Sequence, residues 1–146
     1  MNATIEKFGY PRTLIAEYDH WVVLLREKQV TAGCLILACK DEVGAFSAIS
    51  QDAFAELKRV TTDIETSLAA IVRYERINYL MLMMVDPHVH FHVIPRHGSE
   101  REVAGIRFVD GAFPKPPDLA TSAALGAAQL QALQAHLSKA WHRDRP

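Results

Sequence analysis

The sequence predicts an α+β domain built on an antiparallel sheet of about five strands, with one long central helix and a C-terminal helix. Three observations carry this. Short apolar runs at 13–18, 21–25, 34–38, 78–85 and 88–94 have strand length. One stretch beginning at Ser50 repeats apolar residues at three-four spacing. The order strand, strand, strand, helix, strand, strand, helix groups its strands instead of alternating them with helices. The 146 residues fit one domain, 1–146, with a sizeable core.

Taken in order, 13–18 and 21–25 read as two short strands with His20 at the turn between them. Residues 24–29 leave the sheet as a polar connection, and 34–38 is a near-continuous apolar run of the kind found in a central strand. Ser50 is a plausible N-cap, with Asp52 in the first turn where negative charge is favoured. Phe54, Leu57, Thr61, Ile64, Leu68, Ile71 and Val72 form the helical stripe, which ends near Tyr74. The run from Asn78 to Val85 is apolar on both faces and is expected in the centre of the sheet. Asp86-Pro87 marks a short break, so this strand and the next should form a tight antiparallel hairpin. Residues 98–118 are loop-rich, with a short strand near 106–109. Asp118 is expected to cap the last helix, which carries Leu119, Leu130, Leu133 and Leu137 to about Trp141, with Gly126 weakening its middle.

Composition narrows the function classes. Apolar content is 49%, charged content 23% and formal net charge -1. These are ordinary values for a globular protein. They give no bulk basic surface for nucleic acid and no polybasic segment for a membrane. Arg96, His97 and Arg101 cluster, but Glu100 and Glu102 dilute them. No signal-like segment or membrane-length apolar run is present, so a cytoplasmic protein is expected. Cys34 and Cys39 on one strand would face opposite sides about 16 Å apart, too far for a disulfide.

The chemistry lies in Asp86-Pro87-His88-Val89-His90-Phe91-His92-Val93-Ile94-Pro95-Arg96. On a strand, alternation puts His88, His90 and His92 on one face and Val89, Phe91 and Val93 on the other. The apolar face should pack on a core. Three imidazoles on one face admit a structural role, a metal site or covalent catalysis on phosphorus. Same-face neighbours lie about 6.6 Å apart, so two could share an ion but three not easily from a regular strand, and other ligands such as His97, His20 or Asp86 would be needed. A neutral imidazole can instead carry a phosphoryl group transiently while its neighbours orient it and manage the leaving-group proton.

The run His88 to Ile94 satisfies His-φ-His-φ-His-φ-φ, with φ apolar, and is followed by Pro95-Arg96. Here the chain resembles the histidine triad (HIT) superfamily of nucleotide hydrolases and transferases. The Gly33-led strand, Lys40, the long helix and the triad segment follow the family's order over roughly 13–96. Residues 24–40 resemble most the dinucleoside polyphosphate hydrolase (Fhit-like) branch. The resemblance implies a HIT-like fold, a homodimer and attack at the α-phosphate of a nucleotide derivative through a covalent nucleotidyl-histidine intermediate. It implies that His90 is the nucleophile, that His92 polarises the α-phosphate, and that His88 holds His90 by hydrogen bonding and helps protonate the leaving group. No catalytic metal is implied; Mg2+ would arrive only with the nucleotide substrate.

Three departures stand out. Cys34 occupies the position where many members have a supporting histidine. Arg26 falls near the usual ribose contact, where it could meet a phosphate or another sugar, or simply be solvated. The family's Gly-Gln-Ser/Thr phosphate segment is replaced by Met84-Val85-Asp86-Pro87. Asn78 could contact a base or sugar, or close a turn, and Tyr79 and Trp21 could stack on a base or pack in the core. A catalytically weak nucleotide- or metal-binding protein using the His88/His90/His92 face is the alternative from another class.

Overall fold

Three apolar runs form the meander β1 (Leu14–Glu17), β2 (Trp21–Leu25) and β3 (Leu35–Cys39) in the computed structural model, which describes residues 1–144. Every residue of β2 and β3 is buried, as their near-continuous apolar character requires. β4 (Arg76–Leu80) and β5 (His90–Arg96) complete a five-stranded antiparallel sheet in the order β1-β2-β3-β5-β4. The expected α+β class and strand number are therefore present, while the place of one strand is corrected. β4 lies at an edge, not the centre, and hydrogen-bonds only to β5.

The expected tight hairpin before the histidines is also corrected. β4 and β5 pair antiparallel, Leu80 opposite His92 and Arg76 opposite Arg96, but residues 81–89 intervene as an irregular loop. The apolar residues after Leu80 therefore leave the sheet. Val89 closes the loop onto the other side, donating its N–H to Val43 and accepting from the Cys39 N–H.

Helix α2 (Gln51–Ile71) starts where Ser50 predicts, with the Ser50 hydroxyl accepting from the Ala53 N–H at 3.1 Å. It ends with Arg73 in the left-handed conformation at φ 57°. Its buried residues are Ala53, Val60, Asp63, Ile64, Ser67 and Leu68, with Leu57 and Ile71 packed against the same core, while Phe54 is turned outward. The indole N–H of Trp21 donates to the Ala53 carbonyl at 2.7 Å and ties the first turn of α2 to β2. α2 covers the sheet face that carries Val23, Leu35, Leu37, Val89 and Val93. Gly33, at φ 79°, admits this packing: a Cβ there would stand 2.8 Å from Val72 Cγ2.

The last helix, α3 (Ala127–Lys139), begins later than Asp118. Asp118 instead closes a turn onto Ala120 and Thr121. Gly126 is the N-cap, its N–H held by the Gln129 side chain at 3.1 Å. Leu133 and Leu137 anchor α3 in the main core. Residues 101–108 form a hairpin, β6 (Arg101–Val103) and β7 (Ile106–Phe108), turned at Ala104 and Gly105, both with positive φ.

The opposite sheet face carries Val22, Leu24, Ile36 and Ala38 and is covered at one end by a short helix, α1 (Ala3–Lys7). Asn2 both caps α1, accepting from the Ile5 N–H at 3.0 Å, and donates to the Cys39 carbonyl at 2.9 Å. Five residues give no readable period and make no stable helix alone, so the helix owes its order to this docking. His90 and His92 share this second face.

Candidate active site

Strand β5 begins at His90, so the three histidines do not all lie on regular strand. His90 stands opposite Ala38 and His92 opposite Ile36. Their rings meet edge to face at 5.3 Å between centroids. Phe8, just after α1, packs against both rings at 5.4 and 6.0 Å. His88 lies before the strand with a half-buried ring and contributes its main chain. The His88 N–H donates to Thr4 Oγ1, and its carbonyl accepts from His90 Nδ1 at 2.8 Å. The contact between the two residues therefore runs through the His88 main chain and not its imidazole.

These contacts fix two opposite tautomers. A carbonyl oxygen only accepts, so His90 Nδ1 carries the proton and Nε2 of the neutral ring keeps its lone pair. Arg26 Nε–H only donates, at 3.1 Å to His92 Nδ1, so the proton of neutral His92 resides on Nε2. Burial and the Arg26 guanidinium, with a smaller push from His90, lower the His92 pKa to about 4; Asp86 opposes them weakly. His92 is therefore a neutral N–H donor at ordinary pH. One imidazole offers a lone pair and its neighbour a proton donor, the pairing that attack on a phosphoryl group requires.

Arg26 is held in turn. A second guanidinium N–H donates to the Lys28 carbonyl, and the Arg26 carbonyl accepts from Gln29 Nε2 at 2.6 Å. The same Gln29 amide bonds the Cys34 carbonyl and, through Oε1, the N–H groups of Gly33 and Cys34 at 3.0 and 3.1 Å. Gln29, a glutamine in a polar connection, carries no periodic signal in the sequence. Its full burial marks it as the brace of this loop. Cys34 is also fully buried, its sulfur in contact with the Thr31 N–H and hydroxyl, both at 3.3 Å, and burial pushes its thiol pKa up. His97 is a structural imidazole, accepting from the Ala32 N–H and bonded through Nδ1 to the Ser99 carbonyl.

Asn78 lies away from the histidine pair. It stands opposite Ile94, and its Oδ1 accepts from Arg96 Nη1 at 3.0 Å. Arg96 forms a two-pronged buried pair with Asp110, at 2.7 and 3.1 Å. Trp21 and Tyr79 are likewise engaged elsewhere, Trp21 with Ala53 and Tyr79 through its hydroxyl with Glu65. Trp141 donates to the Tyr18 hydroxyl at 3.0 Å within the same chain.

A cleft of about 210 Å³ is lined by Arg26, Leu82, Met84, Asp86, His90 and His92, among others. Pockets that enclose a whole drug-sized ligand start near ~300 Å³, so this cleft fits the reacting group of a larger molecule. Among the described residues, no three His, Cys, Asp or Glu side chains converge on a point where a metal ion could bind. No helix among them is long and apolar enough to cross a membrane.

The fold agrees with solved structures of histidine triad proteins. One from Bradyrhizobium japonicum superposes with a TM-score of 0.73 at 17% identity, covering 97% of each chain. One from Sinorhizobium meliloti gives 0.72 at 17% identity, covering 95% of this chain and 94% of that one. A hypothetical histidine triad nucleotide-binding protein from Sulfolobus tokodaii gives 0.66 at 16% identity, covering 88% and 82%. None of the curated proteins matches by sequence. The sequence profile of the HIT domain, however, matches residues 7–99, which contain the whole sheet, α2 and all three histidines, and on that match the chain belongs to the HIT domain family.

Proposed function

We propose that this protein is a nucleotide phosphohydrolase or nucleotidyl transferase that works through a covalent intermediate on His90. The observation that carries this reading is the pair of opposite tautomers at His90 and His92. His90 Nε2 attacks the α-phosphorus of a nucleotide derivative, forming a P–N bond as the bond to the leaving group breaks. The leaving group takes its proton from His88 or from water. The His92 Nε2–H donates to a non-bridging phosphate oxygen, where charge develops. Water then attacks the phosphorus, the P–N bond breaks, and a nucleoside monophosphate leaves with His90 restored.

Arg26 is the cation for the bound phosphate in this scheme, as well as the group that orients His92. No step uses a metal; Mg2+ enters only with a substrate that carries it. The likeness of residues 24–40 to the dinucleoside polyphosphate branch supports an anhydride or amide of a nucleoside monophosphate as the substrate class. A cytoplasmic homodimer is part of the same reading, with the open edge of β4 available for pairing; sedimentation velocity measures that directly.

The test is intact-protein mass spectrometry after rapid, acid-free quenching with dinucleoside polyphosphates, nucleoside phosphoramidates and sugar nucleotides. A nucleoside monophosphate adduct is expected on the wild type and not on His90→Ala, which should lose turnover. Unchanged turnover in His90→Ala would remove the mechanism. A second reading, a nucleotide- or metal-binding protein with little catalysis, is favoured by one observation: Met84 to Pro87 stand where the family holds phosphate with polar groups. Thermal stabilisation by nucleoside monophosphates with no product from any ester or amide would select it.

A further inference from the structure

We propose that Lys7 is a second phosphate ligand of the histidine cleft, one that Asp86 holds until a substrate phosphate competes for it. This rests on the reading above for the presence of a nucleotide and goes beyond it in the residue it assigns. Among the described residues that line the cleft, Arg26 carries the one fixed positive charge and Asp86 the one carboxylate. Leu82, Met84 and Val85 beside them are exposed and offer a phosphate oxygen no side-chain donor. Arg26 already gives two of its N–H groups to His92 and the Lys28 carbonyl. The two fixed charges of the cleft wall cancel, which is a poor match for an anionic phosphate.

Lys7 corrects this balance. It ends α1, outside the cleft wall, and its Nζ reaches Asp86 Oδ1 at 2.6 Å. Asp86 in turn lies near enough to His92 to oppose weakly the fall of that ring's pKa. The ammonium group thus stands one carboxylate away from the imidazole that donates to the phosphate. The pair is uneven, with the Lys7 side chain 55% exposed and that of Asp86 15%. An ion pair with a long, solvated partner is weak, so its cation is exchangeable. An ammonium has three rotatable donors and no fixed plane, so Lys7 can turn from Asp86 to a phosphate oxygen without a change of fold.

α1 stays docked when the pair opens. Ile5 is fully buried in the second core, Asn2 bonds the Cys39 carbonyl at 2.9 Å, and Thr4 Oγ1 accepts from the His88 N–H at 3.3 Å. These contacts hold the base of the Lys7 side chain beside the run that leads into the histidines and leave its head free to move. They also fix the helix without help from Lys7, so docking α1 does not require the ion pair.

The experiment measures binding of the four ribonucleoside 5′-monophosphates and of the matching nucleosides by calorimetry, on the wild type, Lys7→Gln, Lys7→Arg and Asp86→Asn. For the tightest monophosphate, Lys7→Gln should weaken binding about tenfold, the size of one hydrogen bond to a charged group. Lys7→Arg, which keeps the charge, should stay within about threefold of the wild type, and Asp86→Asn should tighten binding, because the rival for Lys7 is gone. Nucleoside binding should not change. The Lys7→Gln loss should persist at 0.5 M salt, where the screening length is about 4 Å and only charges in contact still interact. A pair that serves structure alone moves Lys7→Gln and Asp86→Asn in the same direction. That result would overturn the proposal, as would a Lys7→Gln loss that vanishes at 0.5 M salt or extends to the nucleosides. Unchanged monophosphate affinity in Lys7→Gln would also overturn it, and a His90 adduct still forming in that variant would leave the covalent mechanism standing. If no monophosphate binds the wild type, the role of Lys7 falls, alone where the His90 adduct forms and together with the covalent mechanism where it does not.

Discussion

Arg26 and His92 are joined by a hydrogen bond that only one tautomer of the imidazole permits, Nε–H to Nδ1 at 3.1 Å. The guanidinium both points the His92 proton outward and opposes protonation of the ring. Arg26→Gln should therefore lower kcat/KM by about 10²–10³, the loss seen when one donor to a developing oxyanion goes astray. The His92 titration followed by NMR should shift upward from about 4, because the second-largest depressing influence is gone. An unmoved titration would show that Arg26 does not control that ring.

Stability should depend on the same histidine. Its folded-state pKa of about 4 lies below the unfolded value of about 6.5, so between these values the unfolded chain binds more protons. Stability should then rise with pH across that window and fall as the medium is acidified. His97, depressed chiefly by burial, adds in the same direction. Allowing for its partial exposure, His92 contributes on the order of 2 kcal/mol. Urea melts at pH 4.5 and 7 should show a difference that shrinks in His92→Asn and shrinks further when His97→Asn is added.

How legible this was differs by element. The periodic α2, the apolar runs of β1 to β3 and the alternating histidines announce themselves, because burial on one or both faces leaves a regular pattern. The stripe of α2 holds at Ile64, Leu68 and Val72, with Leu57 and Ile71 packed against the core, and fails at Phe54, which turns to Phe46. The run after Leu80 reads as central strand because it is apolar throughout, but it leaves the sheet, with Met81 and Met83 packed against the core and Leu82, Met84 and Val85 exposed beside the cleft. α1 and the Gln29 brace were illegible, since both are ordered by partners distant along the chain. The three-residue motif marks the candidate site, whereas the tautomers depend on a backbone carbonyl and a guanidinium that spacing does not disclose.

The Arg96–Asp110 pair is the costliest ion pair to break. Its side chains are only 4% and 2% exposed, and Asp110 also accepts from the His97 N–H. Asp110→Ala leaves a buried guanidinium without its carboxylate and should cost about 3–5 kcal/mol in chemical denaturation. Asn78→Ala removes one neutral acceptor from the same guanidinium and should cost about 1–2 kcal/mol. An equal loss in both variants would mean that the carboxylate does not dominate the cluster.

Cys34 lies beside the candidate site's bracing loop, and its environment argues for a packing role. The sulfur is fully buried against Thr31, and burial raises the thiol pKa, so the reactive thiolate is scarce at neutral pH. Alkylation of Cys34 in the native protein should be slow and should track unfolding, accelerating as denaturant is added. Cys34→Ala should cost about 1–2 kcal/mol, through the lost sulfur volume and the freed Thr31 N–H. Rapid labelling of the native thiol at pH 7, with loss of turnover in step, would instead make Cys34 an accessible nucleophile of the site. Mass mapping of the labelled peptide separates it from Cys39, the other buried free thiol.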